Sequence, residues 1–408
     1  MDIGAIDFRA QRGLAIVEGK GKHIRPVLEG KYLVPSQSRN AGSYFVDAAA
    51  GSCTCPDHEE TGKRCKHIWA VLIVRHEVTL PDGSSVVTEE KRVYSQHWPA
   101  YRRARMTEKG MFEKILRALC NGIKQPEYKG NGRPALPLSD VIFAAGLKTY
   151  TLFSGDRATS DIVACKERGL LDVAPHPNTI FRILRMPETL PVLRALINES
   201  ARPLRMFETH AAIDATGVST KNYVRWFDAK WGKEKREQKW IKLHMMIGVR
   251  TQIITAAKVT EGNKNDSPYL PELLEETAAN FDLKTVAADM GYLSRSNLGA
   301  IVKLGAEPRI PFKVNSVEND DELSNRMLAF YTFNRPRFDA EYHRRSLTET
   351  TFSSIKRVLG GAVRAKSLEG QFAEVYLKCL GHNIRVLVQS IHELGIAPQF
   401  WGEEESAA

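Results

Sequence analysis

Two groups of residues in this 408-residue chain have types and spacings that could do chemistry. The first is a set of acids. Asp214 follows Ala211-Ala-Ile, Asp289 follows Thr285-Val-Ala-Ala, and Glu349 lies in Tyr342-His-Arg-Arg-Ser-Leu-Thr-Glu349. Carboxylate oxygens are hard donors that suit Mg²⁺ or Mn²⁺, and two such ions held about 4 Å apart support phosphoryl transfer. The second group is Cys53-Thr-Cys55, then nine residues, then Cys65-Lys-His67. Three thiolates and one imidazole complete the closed tetrahedral shell of a structural zinc site. His58, inside the spacer, is a rival ligand and reads as a solvated loop histidine.

Elements must position these side chains. The alternation in Ser43-Tyr-Phe-Val-Asp47 predicts a strand feeding Cys53 and Cys55, and the apolar run 68–74 predicts a buried helix with Cys65 and His67 at its start. The short apolar runs ending at Asp214 and Asp289 predict two strands, which converge the acids if they are neighbours. Residues 242–249 and 252–259 read as further strands and 268–281 as a helix, with Asp266 as its cap. On a continuous helix, Tyr342, Arg345, Glu349 and Lys356 fall within about 60° of one another, while Leu347, Ile355, Val358 and Leu359 face away.

Other segments organise the rest. Residues 82–110 carry charges and turn formers, and Phe112, Ile115, Leu116 and Leu119 then repeat at helical spacing. A Gly/Pro-rich stretch, 127–137, reads as a linker. Residues 160–171 and 178–185 could form a helix-turn-helix with Arg182 and Arg185 outward, or an ordinary bundle. Residues 372–394 read as one amphipathic helix that buries Cys379, and Cys120 reads as a packed thiol. The boundaries that follow are 1–90 (zinc domain), 91–137 (helix and linker), 138–204 (helical, for DNA binding or dimerisation), 205–360 (acid-bearing core) and 361–408 (helix and acidic tail).

Charge adds a partner. Lys+Arg 58 against Asp+Glu 48 gives +10 and a pI near 9.2, a balance that suits a polyanion without naming one. Half of that excess sits in 221–242, where Lys221, Arg225, Lys233, Lys235 and Arg236 alternate with Trp226, Trp231 and Trp240. Cations interleaved with aromatics suit a groove that tracks a nucleic-acid strand, or a hairpin that packs its tryptophans inward. At 43 % hydrophobic the chain can bury a core, so wholesale disorder is excluded. No run approaches the ~18 residues of a membrane span, no secretory signal is visible, and six cysteines do not suggest a disulfide scaffold. The expectation is a soluble intracellular protein with no membrane partner.

The acids, 75 and 60 positions apart, resemble the DDE triad of insertion-sequence transposases, which is built on an RNase H-like fold. Tyr342-x2-Arg345-x3-Glu349-x6-Lys356 matches the Tyr-Arg-Glu-Lys signature of one large subgroup, and Asp214-Ala-Thr-Gly and Asp289-Met-Gly-Tyr look like its strand-end motifs. The Cys53, Cys55, Cys65, His67 array resembles the SWIM zinc finger. The resemblance implies an α/β core, an RNase H-like mixed sheet flanked by helices, behind a small zinc-binding domain and a helical middle domain. It implies a DNA transposase of a bacterial or archaeal element, acting in the cytoplasm at the nucleoid. Such an enzyme binds terminal inverted repeats, cleaves the DNA ends and joins their 3′-hydroxyls to target DNA, as a homodimer in the synaptic complex. Asp214, Asp289 and Glu349 would hold two Mg²⁺ or Mn²⁺ ions, Arg345 and Lys356 would meet phosphate oxygens, Tyr342 would contact the DNA backbone, and one zinc would be structural. Some members insert a long β-domain before the Glu; sixty residues leave no room for it, so its functions are not carried over. The rival readings are a transposase-derived zinc-finger regulator without catalysis and a stand-alone RNase H-like nuclease.

Overall fold

The computed structural model describes residues 8–28, 30–37, 42–75, 78–79, 85–86, 98–127, 131–132, 134–220 and 240–401. The chain divides into two units, residues 1–105 with 389–397, and residues 106–388 with 398–408.

In the first unit, helix α1 (Phe8–Lys20) precedes strands β1 (Arg25–Leu28), β2 (Lys31–Pro35), β3 (Ser43–Asp47) and β4 (Ser52–Cys53). They form an antiparallel sheet in sequence order. Helices α2 (Pro56–Thr61) and α3 (Lys66–Arg75) follow, then a two-residue pair, β5 (Val78–Thr79) with β6 (Ser85–Val86). Ile16, Val34, Val46, Ile68 and Val71 close a core around the three cysteines. Helix α1 reaches α3 at Gly13, where a Cβ would stand 2.7 Å from Trp69 Cβ, so only glycine permits so close an approach.

Helix α4 (Trp98–Asn121) begins well before Phe112, the start its periodicity suggests. Pro99 sits in its first turn, where a missing N–H costs nothing, and Arg102, Arg103 and Arg105 are its exposed face. Four helices follow: α5 (Leu138–Thr151), α6 (Gly155–Glu167), α7 (Pro177–Leu184) and α8 (Thr189–Ala201). The buried carboxylate of Asp140 ties this layer together, accepting from Arg117 Nη1 at 2.8 Å and from the amides of Asp172 and Val173. Ile162 of α6 and Ile180 of α7 are buried, and Arg182 and Arg185 are exposed.

The second unit is centred on a five-stranded sheet of β7 (His210–Ser219), β8 (Trp240–Gly248), β9 (Ile254–Glu261), β10 (Thr285–Ala288) and β11 (Glu307–Arg309). The order is β11-β10-β7-β8-β9. Strands β7, β8 and β9 are antiparallel neighbours, while β10 runs parallel to both β7 and β11. The sheet is thus mixed and flanked by helices. Helices α9 (Leu270–Ala278), α10 (Arg295–Lys303), α11 (Glu322–Phe333), α12 (Arg335–Tyr342), α13 (Ser346–Leu359) and α14 (Leu368–Leu394) complete the order.

The edge strand β9 would offer unpaired amides to other chains, and α14 covers it. Asn383 accepts from Ile254 N at 2.8 Å and donates to Ile254 O at 2.7 Å, while Tyr376 Oη accepts from Val259 N at 3.0 Å. At the other edge, buried Arg309 pairs with Glu341 at 2.5 Å and with Glu307, and lies 4.6 Å from the Phe330 ring. That cluster fixes α12 against β11.

Candidate active site

The site starts from strand register. Ala288 pairs with Ile213 across the parallel β10–β7 ladder, so the next residue on each chain is Asp289 and Asp214. Adjacent strands lie about 4.8 Å apart, which sets the scale between the two carboxylates. Asp214 continues β7 opposite Met245 of β8, whereas Asp289 directly follows β10 and caps the next turn, accepting from Met290 N at 2.7 Å. One acid is clamped within the sheet and the other stands at a strand end.

Helix α13 crosses β7 and brings the third acid. Arg345, in the short 3₁₀ turn before α13, donates from Nη1 to Asp214 Oδ2 at 2.8 Å and from Nη2 to Glu349 Oε1 at 3.3 Å. Thr348 Oγ1, fully buried, lies 3.1 Å from the same Asp214 oxygen. Lys356 Nζ donates to Thr216 Oγ1 at 2.7 Å, two residues along β7 from Asp214 and so on the same face. An open cleft of about 700 Å³ is lined by Asp214, Ala215, Thr216, Glu349, Phe352, Ser353, Lys356 and Arg357.

The stripe drawn on one continuous helix is broken in the structure. Tyr342 is the last residue of α12, Arg345 lies in a 3₁₀ turn, and only Glu349 and Lys356 share α13. The aromatic reaches the site from the preceding helix, stacked on Phe338 at 5.6 Å between centroids, with Arg345 Cζ 6.0 Å from its ring.

Electrostatics join these residues. Burial pushes the Asp214 carboxyl above its usual range and the charge of Asp289 adds to that, against the Ala215 amide, Arg345 and Thr348. Burial raises the Tyr342 phenol, Arg345 lowers it, and Asp289 raises it again. Burial lowers the Lys356 ammonium. Tyr292, the last residue of the Asp289 turn, is pushed up by burial and then by Asp266, Asp214 and Asp289.

Asp266 is not the helix cap its position suggests; it makes no side-chain cap bond. Its carboxylate instead faces Lys242 Nζ at 3.0 Å and buried His244 Nδ1 at 3.4 Å, and His244 Nε2 meets Thr260 Oγ1 at 2.9 Å. A neutral helix-end signal and an ion-pair partner look alike in sequence, since both are an acid before Ser-Pro. Thr348 and Thr216 were not legible as site residues either. The available signal was the position of Thr348 directly before Glu349 and of Thr216 two residues beyond Asp214.

The basic segment is only partly visible. Lys221, Arg225, Trp226, Trp231, Lys233, Lys235 and Arg236 lie outside the described residues. Trp240 opens β8 and is exposed, with its carbonyl accepting from Gly262 N at 3.0 Å.

In the first unit, Cys53, Cys55, Cys65 and His67 are all buried and their ligand atoms lie within 4.8 Å of one another. Among the described residues, no other His, Cys, Asp or Glu group is drawn together in this way, the three acids included. His67 presents Nδ1, at 3.9 Å from Cys53 Sγ and 3.8 Å from Cys65 Sγ. Hydrogen bonding from Cys53 pulls the Cys65 thiol down to about 3, while Cys53 is pushed up. Three cysteine sulfurs and an imidazole in a dry pocket are a soft donor set that fits zinc. His58 stands apart, its Nδ1 2.8 Å from Lys63 O in the loop after α2.

Comparison with known proteins finds a family match in each unit. Residues 205–384 match the transposase DDE domain family, and residues 44–76 match the SWIM zinc finger family. The protein carries a transposase DDE domain behind an N-terminal SWIM zinc finger. Among solved structures, the piggyBac transposase in a cryo-EM synaptic complex with hairpin DNA is 13 % identical over 71 % of this chain and 74 % of that one. The TM-score is 0.31. No helix among the described residues is long and apolar enough to cross a membrane.

Proposed function

We propose that this protein is a DNA transposase that binds the terminal inverted repeats of its element, cuts the DNA ends and joins their 3′-hydroxyls to target DNA. The observation that carries the reading is the register that sets Asp289 beside Asp214, with Arg345 reaching from Asp214 to Glu349. Three carboxylates of this kind are a hard oxygen set that fits Mg²⁺ or Mn²⁺. Asp214, Asp289 and Glu349 are the residues that would hold the ions. When bound, such ions activate a water or 3′-hydroxyl and stabilise the leaving oxygen.

The chain's own groups then position DNA. Arg345 turns from the carboxylates to phosphate oxygens, Lys356 meets a neighbouring phosphate, and Tyr342 holds the backbone beside the cut. Residues 221–240 supply further cations and stacking surfaces. The Cys/His cluster holds one zinc as a structural ion, and the active assembly is a homodimer that brings two ends together, in the cytoplasm of a prokaryote.

The deciding experiment uses the full chain on a duplex carrying the inverted repeat that flanks its gene. Mg²⁺-dependent cleavage is expected from the parent, and Asp289→Asn should lower the rate by roughly three orders of magnitude or more with the fold retained. Binding without cleavage in the parent would leave a non-catalytic regulator. Pre-cleaved ends and supercoiled target then separate transposase from nuclease, since only the former gives joined products.

A further inference from the structure

The cleft beside the acids has a second end. Along α13 it runs from Glu349 to Arg357, about 12 Å at the helical rise, with Ser353 between them one turn from each. Acids occupy one end, Glu349 and Asp214. Lys356 and Arg357 occupy the other, with the hydroxyls of Thr216 and Ser353 between. Ser353 and Arg357 are exposed to the cleft side of the helix, while Phe352 and Ile355 are buried under it. Among the described residues, Arg357 has no ion-pair partner. Its neighbour Lys356 is held by Thr216 Oγ1 at 2.7 Å, a neutral oxygen that leaves the ammonium's charge uncompensated. Burial also lowers that ammonium, so a nearby anion restores what burial removes.

Charged donors and two hydroxyls, gathered in a trough with no acid among the described residues at that end, match the chemistry of a phosphodiester. We infer that Ser353, Arg357, Lys356 and Thr216 form a phosphate subsite for the DNA strand that enters the acid centre. The subsite rests on the transposase reading and deepens it by fixing which part of the strand the protein holds. Each nucleotide advances about 3.4 Å along a duplex, so about 12 Å of cleft spans three nucleotides or so. The phosphate against Arg357 is therefore two to four nucleotides from the one that reacts at the acids. Its role is to set the register of the strand, so the cut falls at one position.

The test is a phosphate walk. Duplexes carrying the flanking inverted repeat receive single neutral methylphosphonates at each of six positions on either side of the cut. Parent, Arg357→Gln and Ser353→Ala are compared for cleavage in Mg²⁺ with DNA below saturation. Lys303→Gln, an exposed lysine of α10 outside the site, controls for the lost charge. The parent should lose about tenfold when the neutral group stands two to four nucleotides from the cut, on one side only. Arg357→Gln should be insensitive at that position, equally sensitive elsewhere, and should cut at scattered sites. Its salt dependence should fall by about one unit of slope. If the penalty profile of Arg357→Gln matches that of the parent at every position, the subsite is wrong while the transposase reading stands. If no duplex is cleaved by the parent, the catalytic reading falls and the subsite with it.

Discussion

Arg345 and Asp214, 131 residues apart, meet at 2.8 Å through Nη1 and Oδ2, and the other arm of the guanidinium reaches Glu349. One cation therefore screens two acids that would otherwise repel each other in a half-buried site. It also occupies the oxygens that a metal ion needs. Arg345→Gln should raise Mn²⁺ affinity without DNA by about tenfold, because a charged competitor is lost. Cleavage should fall in the same variant, because the phosphate contact is lost too. Titration of Mn²⁺ by electron paramagnetic resonance reads the first effect; weaker binding would show the guanidinium to be a support and not a competitor.

Thr348 gives a milder test of the same carboxylate. Thr348→Val keeps the shape and removes a hydroxyl 3.1 Å from Asp214 Oδ2. That hydroxyl opposes the burial that raises Asp214, so its loss should raise the carboxyl further. Metal binding needs the ionised acid. The pH at which Mn²⁺ binding begins should therefore move upward, with affinity at neutral pH reduced by about fivefold. Thr348 Oγ1 also lies 2.8 Å from Arg345 O, and an unchanged onset pH would mean that it serves only that bond.

Two buried imidazoles make the fold sensitive to acid. Burial lowers His244 and His382 to about 4 each, from an ordinary value of 6.5. Between those limits the unfolded chain binds protons that the folded chain does not, so stability is full above about pH 6.5 and declines as pH falls toward 4. At pH 5 each should cost about 2 kcal/mol. Urea titrations at pH 7 and pH 5 measure the loss, and His382→Gln should halve it, since the amide can still donate toward the Gln252 carbonyl now 2.9 Å from Nε2.

The zinc reading makes a separate thermal prediction. Three cysteines and a histidine sit within a small core whose strands are two to five residues long, and a metal would hold them together. A chelator, or Cys65→Ser, should abolish one unfolding transition belonging to residues 8–75 and leave a second transition unchanged. Structural zinc contributes on the order of 10 kcal/mol to folding in isolated fingers, so the effect should be large. Calorimetry with and without chelator decides it, and bound zinc measured by mass spectrometry should be close to one per chain.

Much of this arrangement is written locally. The short apolar runs before Asp214 and Asp289 are enough to mark the strands that carry the one and precede the other, because the burial is written in the run itself. The Cys/His doublets are similarly local, and their helix begins at Lys66, as the apolar stretch implies. What was not legible depends on where helices break. The residues from Tyr342 to Lys356 scan as one helix, and nothing in their types announces the 3₁₀ turn at His343–Arg345. The partner of Asp266 was hidden for a related reason: Lys242 and His244 lie on a strand more than twenty residues earlier. Long-range pairing of this sort is fixed by sheet order, which periodicity does not encode.

The split between strands and helix has one more consequence. Asp214 and Asp289 are jaws of a fixed spacing, cast by a ladder that cannot slip without turning the whole strand over. Glu349 is a third jaw mounted on a separate arm, reached after a sixty-residue excursion through α10, α11 and α12. Any change in how α13 packs would therefore shift Glu349 against the other two while leaving their mutual spacing untouched.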